Sequence, residues 1–116
     1  MNIKQFSINA NISPFTLRYY EKIGLLNKII RDESGRRIYT ASNLDEVKLI
    51  SELKEFGMDL NQIAMFLSFN NKVRNSAEEK IRILVEQRAS LVKQINAYKV
   101  SLSKLDARLI SMKHDK

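Results

Sequence analysis

The 116 residues contain no cysteine and no tryptophan, and only one proline and one histidine. Without thiols the chain forms no disulfide, thiolate metal site or iron–sulfur ligation, and it has no nucleophilic cysteine. The single histidine, His114, makes neither a His-based metal site nor a catalytic dyad by itself. No apolar run approaches the roughly 20 residues of a membrane span. The first segment, MNIKQFSINAN, has no apolar signal-peptide core. Acidic residues are scattered, with no partner group to make a catalytic pair. The expectation is therefore a cytoplasmic protein that is not an enzyme, with no cofactor, no metal and no membrane partner.

Positive charge is plentiful. Twenty Lys and Arg stand against 13 Asp and Glu, a net charge of +7 with a pI of about 9.8. Length allows one domain, or a small domain plus one long element. The 44% hydrophobic content excludes a disordered chain. A basic chain of this size points to a polyanionic partner, most often nucleic acid, against the plainer alternative of a merely soluble basic domain. Residues 1–40 are the denser part, with Lys4, Arg18, Lys22, Lys28, Arg31, Arg36 and Arg37 against Glu21, Asp32 and Glu33.

The sequence reads as nearly all helix. A first helix over about residues 3–10 is capped by Asn2 with Gln5 three residues on, and Ile3, Phe6 and Ala10 share one face. After the turn Asn11-Ile12-Ser13, Ser13 caps a second helix whose first residue is Pro14, where a missing N–H costs nothing. That helix ends before Gly24. Lys28–Arg31 and Arg37–Thr40 are short β-branched or aromatic runs joined by turn-forming residues around Gly35, which predicts a β-hairpin. A third helix begins around Thr40 to Ser42, with Ser42 and Asp45 fitting a cap, an apolar stripe of Leu44, Val47, Ile50 and Leu53, and Gly57 as its stop. Asp59 with Gln62 opens a fourth helix, buried through Ile63, Phe66 and Leu67, and Asn70-Asn71 interrupts.

Ser76 with Glu79 predicts a capping box for a long helix reaching about Lys113. Placing Ile81 at heptad position a puts Leu84, Arg88, Leu91, Ile95, Tyr98, Leu102, Leu105, Leu109 and Met112 on alternating d and a slots. Nine of these ten slots are apolar. The period is 3.5, a coiled-coil seam.

Two helices joined by a short turn and followed by a hairpin describe a winged helix-turn-helix. At 100° per residue, Phe15, Arg18, Tyr19 and Lys22 share one face of the second helix, and Leu17 and Tyr20 lie opposite. Cations and aromatics suit an anionic groove: Arg bonds guanine bidentately or clamps phosphate, Lys neutralises phosphate, and Tyr donates to it. The alternative for Phe15 and Tyr19 is packing against the hairpin, and for Arg18 and Lys22 a solvated face. Arg31, Arg36 and Arg37 near the hairpin tip repel one another, and a phosphate backbone would neutralise them.

Thr16-Leu17-Arg18-Tyr19-Tyr20-Glu21-Lys22-Ile23-Gly24-Leu25-Leu26 resembles the signature of the MerR family of bacterial transcription regulators. Arg31-Asp32-Glu33-Ser34-Gly35-Arg36-Arg37-Ile38-Tyr39 is similar to that family's wing. Leu53 to Met58, followed by Leu60 and Ile63, is similar to its junction of third and fourth helices. The resemblance implies a mainly α fold: a winged helix-turn-helix domain over residues 1–70 with a small β-hairpin wing, then one antiparallel dimerisation coiled-coil helix over 76–113. It implies a homodimer that binds a pseudo-palindromic promoter in double-stranded DNA and bends and untwists it, acting on RNA polymerase indirectly through the promoter. By matching position, Arg18 and Tyr19 contact DNA, Tyr20 contacts backbone or packs, Arg37 acts from the wing and Lys54 touches a phosphate. The full candidate DNA-binding set is Ser13, Phe15, Thr16, Arg18, Tyr19, Tyr20, Lys22, Arg31, Arg36, Arg37, Tyr39 and Lys54. The dimerisation set is the ten seam residues.

The chain departs from the family pattern at Asn27-Lys28, where prolines are frequent, and at Arg36, where an apolar residue is usual. Metal-sensing members carry cysteines that are absent here. A thiol- and aldehyde-responsive subgroup has a similarly short tail but carries a cysteine where this chain has Glu52. An unknown small effector would act near Phe56, Met58, Met65, Phe66 and Phe69, for which ordinary core packing is the alternative. Two other functions fit the sequence less well. A protein-binding coiled-coil scaffold does not account for the wing arginines, and an excisionase-like architectural DNA binder does not account for the long seam.

Overall fold

The computed structural model describes residues 1–26, 29–69 and 74–114. The Asn27-Lys28 departure and the Asn70-Asn71 interruption lie outside them. The chain divides into two compact units, Met1–Asn70 and Asn71–Lys116.

In the first unit, α1 spans Ile3–Ala10. Its capping box forms as expected: the Asn2 side chain accepts from the Gln5 N–H at 2.8 Å, and the Gln5 side-chain Oε1 accepts from the Asn2 N–H at 3.2 Å. Asn11, at φ +52°, ends α1 in the left-handed region. α2 spans Pro14–Lys22, with Ser13 Oγ accepting from the Thr16 N–H at 3.1 Å and Pro14 in the first turn. Gly24, at φ +79°, stops it by turning the Leu25 N–H back onto the Tyr20 carbonyl at 2.9 Å.

The hairpin pairs β1 (Ile30–Arg31) with β2 (Arg37–Ile38) antiparallel, Ile30 opposite Ile38 and Arg31 opposite Arg37. The strands are shorter than the β-branched runs suggest. Tyr39 instead pairs with the Met1 backbone through bonds of 2.7 and 2.8 Å, and Thr40 is taken by the next helix as its cap.

α3 spans Ala41–Glu55. Its cap is Thr40 with Asn43 as the reciprocal partner, not Ser42 with Asp45. Thr40 has the extended backbone that a cap needs, whereas Ser42 already lies inside the first turn. α4 spans Leu60–Ser68 with the expected Asp59–Gln62 capping box. α1 packs on α2 and α3, and α3 on α4. Phe6, Leu17, Tyr39, Val47, Ile50, Leu53 and Ile63 are sealed from solvent between them, with the Phe6 and Tyr39 rings stacked at 4.6 Å.

The second unit is one helix, α5, spanning Ser76–His114. Its 39 residues extend about 58 Å at ~1.5 Å per residue. The expected Ser76–Glu79 capping box does not form. Ser76 is itself helical, the Glu79 N–H bonds to the Asn75 carbonyl at 3.0 Å, and Asn75 is left-handed at φ +60°. The Glu79 carboxylate is occupied by Arg82, which binds it at 2.8 and 3.0 Å and also reaches Glu86 at 2.9 Å. These contacts, Glu79 first, raise the Arg82 guanidinium above its ordinary value. Along the seam Leu84 and Leu91 are half-buried, while Ile81, Arg88, Ile95, Tyr98, Leu102, Leu105, Leu109 and Met112 are exposed.

Candidate nucleic-acid interface

α2 divides its side chains as the 100° spacing predicts. Leu17 and Tyr20 are buried, and Phe15, Arg18, Tyr19 and Lys22 are exposed. Phe15 is 79% exposed, so packing against the hairpin does not account for it. An apolar ring held in water at the start of a helix is costly unless something covers it in the working complex. Tyr19 is half-exposed, with its ring 6.5 Å from that of Tyr20. Ser13 and Thr16 are occupied in the cap, where their hydroxyls lie 2.9 Å apart.

The three wing arginines do not simply repel one another, as their spacing suggested. Glu21, on α2, takes two of them: Arg37 Nε donates to Glu21 Oε2 at 2.7 Å, and Arg31 lies 3.7 Å from Glu21 Oε1. Arg31 also donates to the Gly35 carbonyl at 2.8 Å. Arg36 pairs with Asp32 at 3.3 Å while keeping 80% of its side chain exposed. Asp32 Oδ1 accepts from the Ser34 and Arg36 N–H groups at 2.9 Å each, and Gly35 supplies the left-handed turn at φ +81°. The Arg36 N–H first, with the Arg36 charge and the Ser34 N–H behind it, holds the Asp32 carboxyl below the usual carboxylate range. The wing is thus a pre-shaped loop whose acids aim its cations. The sequence reading missed Glu21 as a functional residue. The signal was a lone acid following Tyr20 on an otherwise cationic helix face.

Two expected contact residues are placed elsewhere. Tyr39 is 2% exposed and stacked on Phe6, so its side chain belongs to the core and not to the exposed face of the wing. Its hydroxyl has no partner among the described residues, and burial pushes its ionisation above the ordinary tyrosine value. Tyr20 is 3% exposed and packs, and its hydroxyl accepts from Lys54 Nζ at 3.4 Å. This contact ties exposed Lys54, on α3, to the base of α2.

In the Phe56–Phe69 group, Met58 and Phe66 are core, Phe56 and Phe69 are half-buried, and Met65 is 57% exposed. Among the described residues no group of three or more His, Cys, Asp or Glu is placed to hold a metal, and no helix is long and apolar enough to cross a membrane.

An exposed cationic-aromatic helix, preceded by a tight turn and flanked by a basic hairpin, defines a winged helix-turn-helix DNA-binding unit. Residues 1–70 match the MerR HTH family regulatory protein pattern. An uncharacterised HTH-type transcriptional regulator of Haemophilus influenzae is 35% identical over 98 residues, which are 84% of this chain and 73% of that one. The Bacillus subtilis regulator YyaN is 44% identical over 66 residues, 57% of this chain, and the match spans 48% of YyaN's own length. The fold is similar to the crystal structure of HiNmlR, a MerR family regulator lacking the sensor domain, bound to promoter DNA. The TM-score is 0.76 and the identity 31%, covering 95% of this chain and 83% of that one. The chain belongs to the MerR family of helix-turn-helix regulators and is a DNA-binding transcription regulator.

Proposed function

We propose that the protein binds promoter DNA as a homodimer, with residues 1–70 on the DNA and α5, over 76–113, joining the two copies. The observation that carries this is the exposed face of α2, Phe15-Arg18-Tyr19-Lys22, fixed beside the wing by Glu21. α2 enters the major groove, where Arg18 and Phe15 meet base edges and Tyr19 and Lys22 meet phosphate. Arg31, Arg36 and Arg37 reach the flanking backbone from the wing, and Lys54 reaches it from α3. Ser13 and Thr16 set the start of α2, and Tyr20 supports Lys54.

The seam supports the dimer reading. Between Ile81 and Met112 it runs about 46 Å, and a single copy leaves most of it in water. Two α2 helices fixed by one dimer must meet successive major grooves about 34–36 Å apart or a multiple of that. Where the operator spacing differs, the DNA bends and untwists. For 20–30 base pairs this costs of order 1–6 kcal/mol, offset by the duplicated basic contacts. RNA polymerase is then affected through the reshaped promoter, in the cytoplasm, with no thiol sensor and no catalytic step.

The test is a salt titration of operator and random DNA. Arg18→Ala should lose operator affinity by about 1–3 kcal/mol and relax sequence choice. Arg36→Ala and Lys54→Ala should weaken both DNAs and flatten the salt slope by about one unit each. Unchanged slopes in both variants would contradict the contact assignment.

A further inference from the structure

We propose that Arg88 and Asp106 form a reciprocal ion pair between two copies of α5, and that this pair fixes both the orientation and the register of the dimer. The inference rests on the dimer reading above and deepens it.

Arg88 is the one charged residue in the ten-slot seam, and it is exposed in the single copy. On a helix, side chains meet at spacings of three and four. Around Arg88 those positions are Leu84, Val85, Leu91 and Val92, so no acid on its own helix can answer it. Asp106 is isolated in the same way, with Leu102, Ser103, Leu109 and Ile110 at those spacings. The two residues are 18 positions apart, about 27 Å along α5, and cannot meet within one copy. Among the described residues neither makes an ion pair.

A second copy brings them together in one arrangement. In a coiled coil each seam residue enters a hole made by four residues of the facing helix. In an antiparallel pair each a slot lies level with a d slot of the other copy. The register that uses all ten slots sets Ile81 level with the partner's Met112, and Arg88 level with the partner's Leu105. The hole that receives Arg88 is then made by the partner's Leu102, Leu105, Asp106 and Leu109. Symmetry gives two such pairs per dimer.

The competing arrangements place like charge there. Sliding by one heptad puts the partner's Lys99 in that hole and strands Leu109 and Met112. Sliding the other way puts the partner's Lys113 there and strands Ile81 and Leu84. A parallel in-register pair sets Arg88 against the partner's Arg88. The flanking positions agree with the first arrangement. Val85 and Val92, both exposed in the single copy, fall in the holes that receive the partner's Leu109 and Leu102. Apolar flanks meet apolar knobs, and the one acidic flank meets the one cationic knob. A single charged seam residue that selects register at some cost in stability is a known use of such positions.

The experiment is a charge swap on the full chain, read by sedimentation at low salt. Arg88→Asp and Asp106→Arg, each alone, put like charges together twice per dimer. Each should raise the dimer Kd at least about tenfold, with helix content unchanged by circular dichroism. Mixing the two variants gives heterodimers in which both contacts are oppositely charged, with a Kd expected within about threefold of the unaltered dimer. An Asp106→Arg variant that dimerises normally, or a mixture as weak as its components, would overturn the proposal. A monomeric unaltered chain would instead overturn the dimer reading itself. Register has a readout of its own, because the chain has no cysteine to interfere. In the Ile81→Cys/Met112→Cys variant, oxidation should join position 81 of one copy to 112 of the other, whereas crosslinks joining like positions would mean a parallel pair.

Discussion

Replacing Glu21 should separate two properties that usually change together, stability and affinity for DNA. Glu21 Oε2 holds Arg37 Nε at 2.7 Å, and the two side chains are 23% and 29% exposed. An exposed ion pair is worth about 0–1 kcal/mol, and breaking a buried one costs about 3–5. At this partial burial the loss in Glu21→Gln should be about 1–2 kcal/mol. The Arg31 contact, at 3.7 Å with that arginine 47% exposed, is screened and adds little. For a domain of this size each kcal/mol lowers Tm by about 4–8 °C. DNA binding should move the other way for random sequence. A carboxylate beside the phosphates is gone, two guanidinium groups are released, and the salt slope should steepen by about one to two units. Operator binding should gain less or fall. Glu21 accepts from Nε of Arg37 and so fixes where that guanidinium sits, and that placement is lost with it. The assays are thermal unfolding, and fluorescence anisotropy on operator and random duplexes across salt. A Glu21→Gln protein with unchanged Tm and an unchanged ratio of operator to random affinity would refute the reasoning.

Tyr39→Phe removes a buried hydroxyl that has no partner among the described residues, so stability should hold or rise by up to about 1 kcal/mol in chemical denaturation, with DNA affinity unchanged. A loss of DNA affinity there would return Tyr39 to the interface. Because burial raises the Tyr39 ionisation, its neutral form stabilises the fold fully below the unfolded value of about 10, and that contribution is lost as pH rises through the folded value. Alkaline unfolding should therefore be steeper in the unaltered chain than in Tyr39→Phe. Gly24→Ala should cost about 1–2 kcal/mol through its φ of +79° alone, since an added Cβ meets nothing within 4 Å; a smaller loss in Gly24→Asn would confirm that strain is the cause. If Phe15 covers a thymine methyl, replacing thymine by uracil at one operator position should weaken the unaltered protein several-fold and leave Phe15→Ala indifferent, as competition binding would report.

The helix stops and most caps were legible because they depend on a few neighbouring residues. Asn2 with Gln5, Ser13 with Pro14, and Asp59 with Gln62 each satisfy orphan amides within one turn. The two cap errors share a form. Ser42–Asp45 and Ser76–Glu79 both match the local pattern, but each helix begins ahead of the serine: Thr40 caps α3 with Asn43, and at α5 Ser76 is itself helical while Arg82 holds the Glu79 carboxylate. Tyr39 was misplaced for a different reason. Its neighbours in the wing are exposed, but its burial comes from Phe6 and its strand-like backbone bonds from Met1, both more than thirty residues away. The Arg37–Glu21 contact spans 16 residues and was equally invisible to local periodicity.

Net charge is therefore a poor guide to where this protein presents positive potential. Of the cations in residues 1–40, Arg31 and Arg37 are engaged by Glu21 and Arg36 by Asp32, whereas Arg18 and Lys22 form no ion pair among the described residues. Among the described residues the two cations that project from α2 are unpaired, as is Lys4 on α1, and the three on the wing are paired. This division suits the tasks proposed for them. A side chain that reads a base loses any competing partner it must leave, so Arg18 gains from forming no ion pair among the described residues. A wing arginine that clamps phosphate gains from being held in place, because the phosphate ladder is the same for every sequence and only position matters. In the proposed dimer, Asp106 places one acid in a basic stretch of α5 to similar effect, answering the cation at Arg88. At each place the acid removes little of the total charge and sets the direction in which the remaining positive groups act.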